Sequence, residues 1–270
     1  MRVYVSSDME GTAGVSGWQQ VKPGDVGYEE ARSLMVGEVN AAVAGAFDGG
    51  ATDVVVNDSH DGMRNVLLDR LDPRAELVSG SPKPWSMVEG LDGGFDLMLC
   101  TGYHAMAGSP GTLAHTYSLS VHRATLFGHP VGELALNAFV AATHGVPVGA
   151  VSGDDVLEQE ALALIPGLHF ARVKEAHGRF ACHSLSADAA RAAIHTTAAE
   201  ACRGRAALHP LTVPVDPELT VTFLDAGQAQ AALLCPGTKR ISPVAVSFAH
   251  RDYLEVYRAF LAMITLAGRA

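Results

Sequence analysis

The chain has 270 residues, with 19 Lys and Arg against 29 Asp and Glu and a formal net charge of −10. Hydrophobic residues make up 48% and charged residues 18%, which excludes a disordered chain or a polyelectrolyte tail and leaves enough apolar side chain for one large domain or two modest ones. An acidic balance without clustered Lys and Arg argues against broad phosphate-backbone binding, so no nucleic-acid partner is expected; the compositional oddity is 12 His in so acidic a chain.

The N-terminus, Met1-Arg2-Val3-Tyr4-Val5, runs straight into Ser6-Ser7-Asp8 without an apolar leader segment or cleavage site. No window approaches the apolar length of a membrane span, so a cytoplasmic protein without a membrane partner is expected. Residues 3–7 read as a buried strand ending in an acid. Residues 28–47 place Ala31, Leu34, Met35, Val39, Ala42, Val43 and Ala46 on one side of a helix that Gly49-Gly50 stops. Residues 52–57 form a second strand, 64–71 a weak helix, and 95–101 a third strand, with Pro82 and Pro84 breaking the chain between them. Residues 116–127 alternate and lead into Gly128-His129-Pro130, a hairpin pattern. A helix over 132–144, a strand over 146–152 and helices over 154–164 and 186–202 follow.

Pro210, Pro214 and Pro217 then mark a break. Residues 1–207 are accordingly read as a catalytic α/β domain, and 208–270 as a smaller C-terminal α+β subdomain packed on it. That subdomain is expected to hold strands at 219–224 and 243–248 and helices at 226–234 and 251–267, with a turn at Pro236-Gly237-Thr238. Strands alternating with helices predict an α/β fold with a mostly parallel central sheet flanked by helices. Cys100, Cys182, Cys202 and Cys235 are too scattered for a disulfide framework or a zinc knuckle.

Polar residues collect where the strands end: Asp8-Met9-Glu10-Gly11 after the first, Asn57-Asp58-Ser59-His60 after the second, Gly102-Tyr103-His104 after the third. Parallel strands bring their carboxyl ends to one edge of the sheet, and Glu133, in the first turn of a helix, can face the same edge. Asp, Glu and His are ligands for zinc and similar divalent ions. Two His with three carboxylates exceed one tetrahedral site and suit two metals sharing a carboxylate, an arrangement that activates water for hydrolysis. Each residue also has an ordinary use: Asp8 and Asp58 in Asx turns, His60 and His104 as hydrogen-bonded residues, Glu133 on the helix dipole. The weight lies in their coincidence at three strand ends and one helix start.

A competing pattern is Asp8-Met9-Glu10-Gly11-Thr12, which is similar to the strand-end signature of haloacid-dehalogenase-like phosphatases. Asp8 would there be the nucleophile of a magnesium-dependent reaction, with Asp154 and Asp155 as later metal-binding acids and Lys174 as the lysine. Glu10 stands where that group has Asp, and His60, His104, His115 and Glu133 are left unused. Asp154-Asp155 is better read as a helix cap and first-turn acid opening the next helix.

Five longer segments then bear on the choice: Ser7-Asp8-Met9-Glu10-Gly11, Val56-Asn57-Asp58-Ser59-His60, the run of residues 83–91, Gly102-Tyr103-His104-Ala105, and Val131-Gly132-Glu133-Leu134-Ala135-Leu136-Asn137. In this order, and with Pro236-Gly237-Thr238, the chain resembles the zinc-dependent D-aminopeptidases associated with bacterial dipeptide-transport operons. The resemblance implies two zinc ions per subunit, bridged by Asp8 and held further by Glu10, His60, His104 and Glu133. It implies a catalytic His115, hydrolysis of small peptides with an N-terminal D-residue such as D-Ala-D-Ala, and a homodecameric ring with an interior chamber. His115 would act as base, acid or oxyanion stabiliser in preference to a covalent nucleophile. Residues 117–128 match least well, so specificity carries over less far than chemistry. A non-catalytic, metal-binding, ring-forming protein is the third reading. Asp58 is read as orienting a ligand His or closing a turn, Gly11 and Gly102 as sites of close backbone approach, and Lys83 and Trp85 as facing substrate or an oligomer contact.

Overall fold

The computed structural model describes residues 1–270. In chain order the elements are β1 (Arg2–Ser7), α1 (Trp18–Val21), α2 (Tyr28–Asp48), β2 (Asp53–Asp58), β3 (Ala75–Val78), β4 (Leu97–Thr101), β5 (Val121–Leu126), β6 (His129–Pro130), α3 (Glu133–Thr143), β7 (Val148–Asp154), α4 (Asp155–Leu164), β8 (His169–Ala176), β9 (Cys182–Ser184), α5 (Ala187–Arg203), β10 (Glu218–Phe223), α6 (Ala226–Ala232), β11 (Lys239–Ser242), β12 (Ala245–Ala249) and α7 (Tyr253–Ala267).

The unbroken apolar runs form the interior of a seven-stranded sheet of order β3-β2-β1-β4-β7-β8-β9. All its pairings are parallel except β8 with β9. Strands β4 and β7 are buried along their whole length, which is why they carry no polar alternation. The two faces separate by residue parity. Val3, Val5, Val54, Val56, Leu97 and Leu99 pack with the apolar sides of α2 and α5. Tyr4, Val55 and Met98 look the other way, into a core shared with α3, α7 and the second sheet. The fold is therefore α/β, with a mostly parallel sheet covered by helices, as its strand–helix alternation implies.

The second sheet is antiparallel, of order β11-β12-β10-β5-β6. Strands β10 to β12 come from the C-terminal segment and β5–β6 from residues 121–130, joined through the β10–β5 pairing of Leu219 with Leu126 and Val221 with Ala124. Helix α3 lies in the core between the sheets, with every residue from Glu133 to Ala141 buried.

Two local expectations change. Residues 64–71 are turns, not a helix, because the amides of Asn65 and Val66 are bound by the Asp58 carboxylate at 2.5 and 2.7 Å. Strands β3, β8, β9 and β11, not anticipated from sequence, lie at or next to sheet edges, where charged residues such as Glu76, Lys174, Glu175 and Arg240 interrupt the apolar signal. The four cysteines are unpaired. No helix is long and apolar enough to cross a membrane.

Candidate metal centre

Strands β2, β1 and β4 are neighbours, so the residues that follow them emerge together. The pairing continues past the strand ends: Ser59 N–H donates to Ser7 O, Asp8 N–H to Thr101 O and Gly11 N–H to Gly102 O, each at 2.8 Å. The crossing needs bare backbone. A Cβ on Gly11 would stand 1.8 Å from Tyr103 O, and one on Gly102, whose φ is +65°, would stand 2.2 Å from Asp8 O. The loop after Glu10 is fixed from below by Lys174, whose buried ammonium donates to the carbonyls of Glu10, Thr12 and Val15 at 2.5, 3.1 and 2.6 Å. Glu133 opens α3, and its Oε1 accepts the Tyr117 amide at 2.6 Å.

The five expected ligands converge, each no more than 5% exposed. Asp8 divides them into two sets. Its Oδ1 lies 3.2 Å from His60 Nδ1, which also stands 2.9 Å from Glu10 Oε2. Its Oδ2 lies 3.4 Å from His104 Nε2, which also stands 3.3 Å from Glu133 Oε1. Atoms bonded at 2.0–2.2 Å to one tetrahedral metal stand about 3.3–3.6 Å apart, so both sets have nearly the separations of a chelating pair of sites. Glu10 Oε2 and His104 Nε2 are buried and make no hydrogen bond. Buried carboxylate and imidazole atoms without an aligned hydrogen bond are costly unless a cation satisfies them, and the donor set fits a divalent metal.

The ring orientations fit as well. His60 Nε2 lies 2.6 Å from Val21 O and His104 Nδ1 3.0 Å from Ala105 O. Each carbonyl accepts that N–H and leaves the opposite nitrogen facing the carboxylates. Burial disfavours charge on His60 and His104, but the neighbouring carboxylates outweigh it and raise both well above the ordinary histidine value. Asp8 is held below the carboxylate range, because the two facing rings overcome its burial. Glu133 is lowered as well, with the charge and hydrogen bond of His104 outweighing burial. Protons and a metal ion would compete for the same ring nitrogens.

His115 stands beside the cluster. Its ring stacks on His104 with centroids 4.1 Å apart and planes at 8°, and Trp18 meets it edge-on at 5.5 Å. Nδ1 donates to Leu113 O at 2.9 Å, so Nε2 offers a lone pair, at 3.7 Å from Glu133 Oε1 and 4.0 Å from Glu10 Oε1. It has the longest contacts of the group and is the most open to solvent. It faces a cavity of about 660 Å³ whose far walls include Trp18, Lys22, Met87, Tyr117 and Leu119.

Other expectations resolve. Asp58 closes a loop through Asn65 and Val66 and does not touch the His60 ring. Lys83 donates to Asn57 Oδ1 and Asp58 O and lies outside the cavity lining. Burial pushes its ammonium down to about 8. Asp154 caps α4 through Leu157 N and binds Thr112 N. With Asp154 and Lys174 so engaged, the phosphatase assignment of these residues does not hold. Sequence reasoning missed Trp18, Lys22 and Tyr117 as cavity residues.

A family profile described as D-aminopeptidase matches residues 1–262. The chain belongs to that family. It is a metallo-aminopeptidase by class, a hydrolase of peptide bonds, and not a phosphatase. A D-aminopeptidase of Bacillus subtilis (strain 168) is 42% identical over 270 residues, covering 100% of this chain and 98% of that protein. The solved structure of the Zn-dependent D-aminopeptidase DppA from Bacillus subtilis, described as a self-compartmentalizing protease, superposes with a TM-score of 0.97 at 42% identity, covering 100% of this chain and 99% of that one.

Proposed function

We propose that the chain is a zinc-dependent aminopeptidase with two zinc ions per subunit, removing N-terminal D-residues from short peptides of the D-Ala-D-Ala type. The observation that carries this reading is the divided Asp8 carboxylate, one oxygen toward His60 and Glu10 and the other toward His104 and Glu133. The likeness to the zinc-dependent Bacillus subtilis enzyme supports the metal and the substrate class. Zinc there would supply the positive charge that acidifies an attacking water and polarises the scissile carbonyl.

The protein's own part is placement and proton transfer. Asp8, Glu10, His60, His104 and Glu133 are the ligands. His115 Nε2, with its tautomer fixed by Leu113 O, accepts the proton of the attacking water as the O–C bond forms. It returns that proton to the leaving amine as the C–N bond breaks, so no covalent enzyme intermediate is needed. The cavity of about 660 Å³ is of a size for small peptides. The self-compartmentalizing description of the relative supports a homo-oligomer for this chain, a decameric ring. Four unpaired cysteines are in keeping with a reducing, cytoplasmic setting.

The test is a panel of D- and L-dipeptides assayed with zinc, manganese and magnesium on protein of measured metal content. Two zinc per chain with turnover of D-Ala-D-Ala above L-Ala-L-Ala is expected. Full peptidase activity in metal-free protein would overturn the reading.

A further inference from the structure

Beneath the metal centre runs a chain of buried hydroxyl and amide groups that touches none of the proposed ligand atoms. Ser59 Oγ meets Ser6 Oγ at 2.8 Å, and Ser6 Oγ meets the Tyr103 hydroxyl at 2.7 Å. Asn137 Nδ2 donates to the Tyr103 hydroxyl at 3.0 Å. Asn137 Oδ1 accepts from the hydroxyls of Tyr117 at 2.7 Å and Tyr257 at 3.1 Å, which are themselves 2.6 Å apart. Ser6, Tyr103, Asn137 and Tyr257 are fully buried.

Each member sits within four residues of a different site residue: Ser59 beside His60, Ser6 two before Asp8, Tyr103 beside His104, Tyr117 two after His115, Asn137 one helical turn after Glu133. Only Tyr257 comes from elsewhere, from α7 in the C-terminal segment. Asn137 is the hub, because its amide alone joins the Ser6–Tyr103 branch to the Tyr117–Tyr257 pair. Tyr117 in turn has φ of +60°, a conformation rare for a bulky residue, and its amide binds Glu133 Oε1. Anchoring the Tyr117 hydroxyl therefore fixes the strained backbone that aims the Glu133 carboxylate.

We propose that Asn137 and Tyr257 are positioning residues that hold the His104–Glu133 half of the metal centre in register with the Asp8–His60 half. This rests on the two-metal reading above. A core that merely needed filling would have taken apolar side chains here; a fully bonded polar network instead specifies one arrangement of the segments that carry ligands. The C-terminal segment thereby has a role at a site to which it gives no ligand.

The experiment titrates metal-free protein with Zn²⁺ against a competing chelator and follows thermal melting of the same metal-free samples. Tyr257→Phe and Asn137→Ala are compared with Tyr253→Phe, which lies one turn earlier on α7 and loses a buried hydrogen bond to Leu136 O outside the network. Changes in groups that orient metal ligands weaken binding by about 10–100-fold. One of the two zinc equivalents is expected to weaken by that range in Asn137→Ala and by about tenfold in Tyr257→Phe. Tyr253→Phe is expected to lower the melting temperature with both equivalents unchanged. If Tyr257→Phe keeps both wild-type zinc affinities while melting lower, the network is structural only and the proposal fails, whether or not Asn137→Ala folds. If the wild-type chain takes up fewer than two equivalents, the two-metal reading fails instead.

Discussion

His104 and His115 lie face to face, ring centroids 4.1 Å apart and planes within 8° of parallel, yet their second nitrogens have different surroundings. His104 Nε2 is sealed between Asp8 and Glu133, whereas His115 Nε2 stands further from any carboxylate and borders the cavity. Stacked rings point their lone pairs along parallel planes, so on the proposed reading one layer would serve the metal and the next would face substrate. His115→Ala should therefore lower kcat by about 10²–10⁴-fold, the usual worth of a positioned acid–base group. Zinc content should stay near the wild-type value. Unchanged turnover would remove His115 from the chemistry.

The shared carboxylate gives a second expectation, read as metal stoichiometry. Asp8→Asn removes charge from both halves of the cluster and should leave purified protein with little bound zinc. His60→Ala removes a donor from one half only and should leave about one ion per chain on the two-site logic. Elemental analysis of the two variants decides it: equal losses would mean that the centre does not divide at Asp8.

Gly11 supplies a test of how the strand ends are brought together. An added Cβ would lie 1.8 Å from the Tyr103 carbonyl oxygen, a backbone atom fixed by the adjoining strand. Gly11→Ala must push β1 and β4 apart at the point where Asp8 and His104 leave them. A stability loss of about 3 kcal/mol or more is expected, from the overpacking range or above, together with weakened zinc binding. Gly62→Ala, where a Cβ meets nothing within 4 Å, is the control and should melt close to wild type.

The parts of the site that could be read in the sequence are those that obey local rules. Asp8, His60 and His104 lie within three residues of the ends of buried apolar strands, and a parallel sheet leaves such residues only one edge to occupy. Glu133 was visible because a helix start can face the same sheet edge, although the helix dipole favours an acid there without any metal. What escaped is what depends on distant segments. Nothing near Val21 indicates that its carbonyl orients the His60 ring 39 residues away. Nothing near Tyr257 indicates a bond to Asn137, 120 residues earlier. The sheet edges were missed for another reason: β8 alternates burial with charge, and its Lys174 faces inward to bind carbonyls when its residue type predicts solvent. The separation at residue 207 follows a real cluster of prolines, but β5 pairs across it with β10, because an antiparallel sheet accepts strands from any part of the chain.

Glu38 carries the pH dependence of the scaffold. It lies buried on α2, with Oε1 accepting the Ala13 amide at 2.8 Å and Oε2 unpartnered. Burial pushes its carboxyl up to about 7, against the opposing pull of the Ala13 amide and the charges of Lys174 and Arg191. An acid whose folded value is raised binds more protons folded than unfolded, so its contribution is most favourable below the unfolded value of 4.5 and is lost as pH rises through about 7. The full span corresponds to about 3 kcal/mol, at 1.36 kcal/mol for each unit of displacement. Glu38→Gln keeps an oxygen for Ala13 and cannot ionise. Its metal-free form should melt close to wild type at pH 5 and clearly above it at pH 8, with the two curves parting between those limits. Thermal melts across that range check the claim: a constant offset between the two proteins would show that Glu38 does not titrate there.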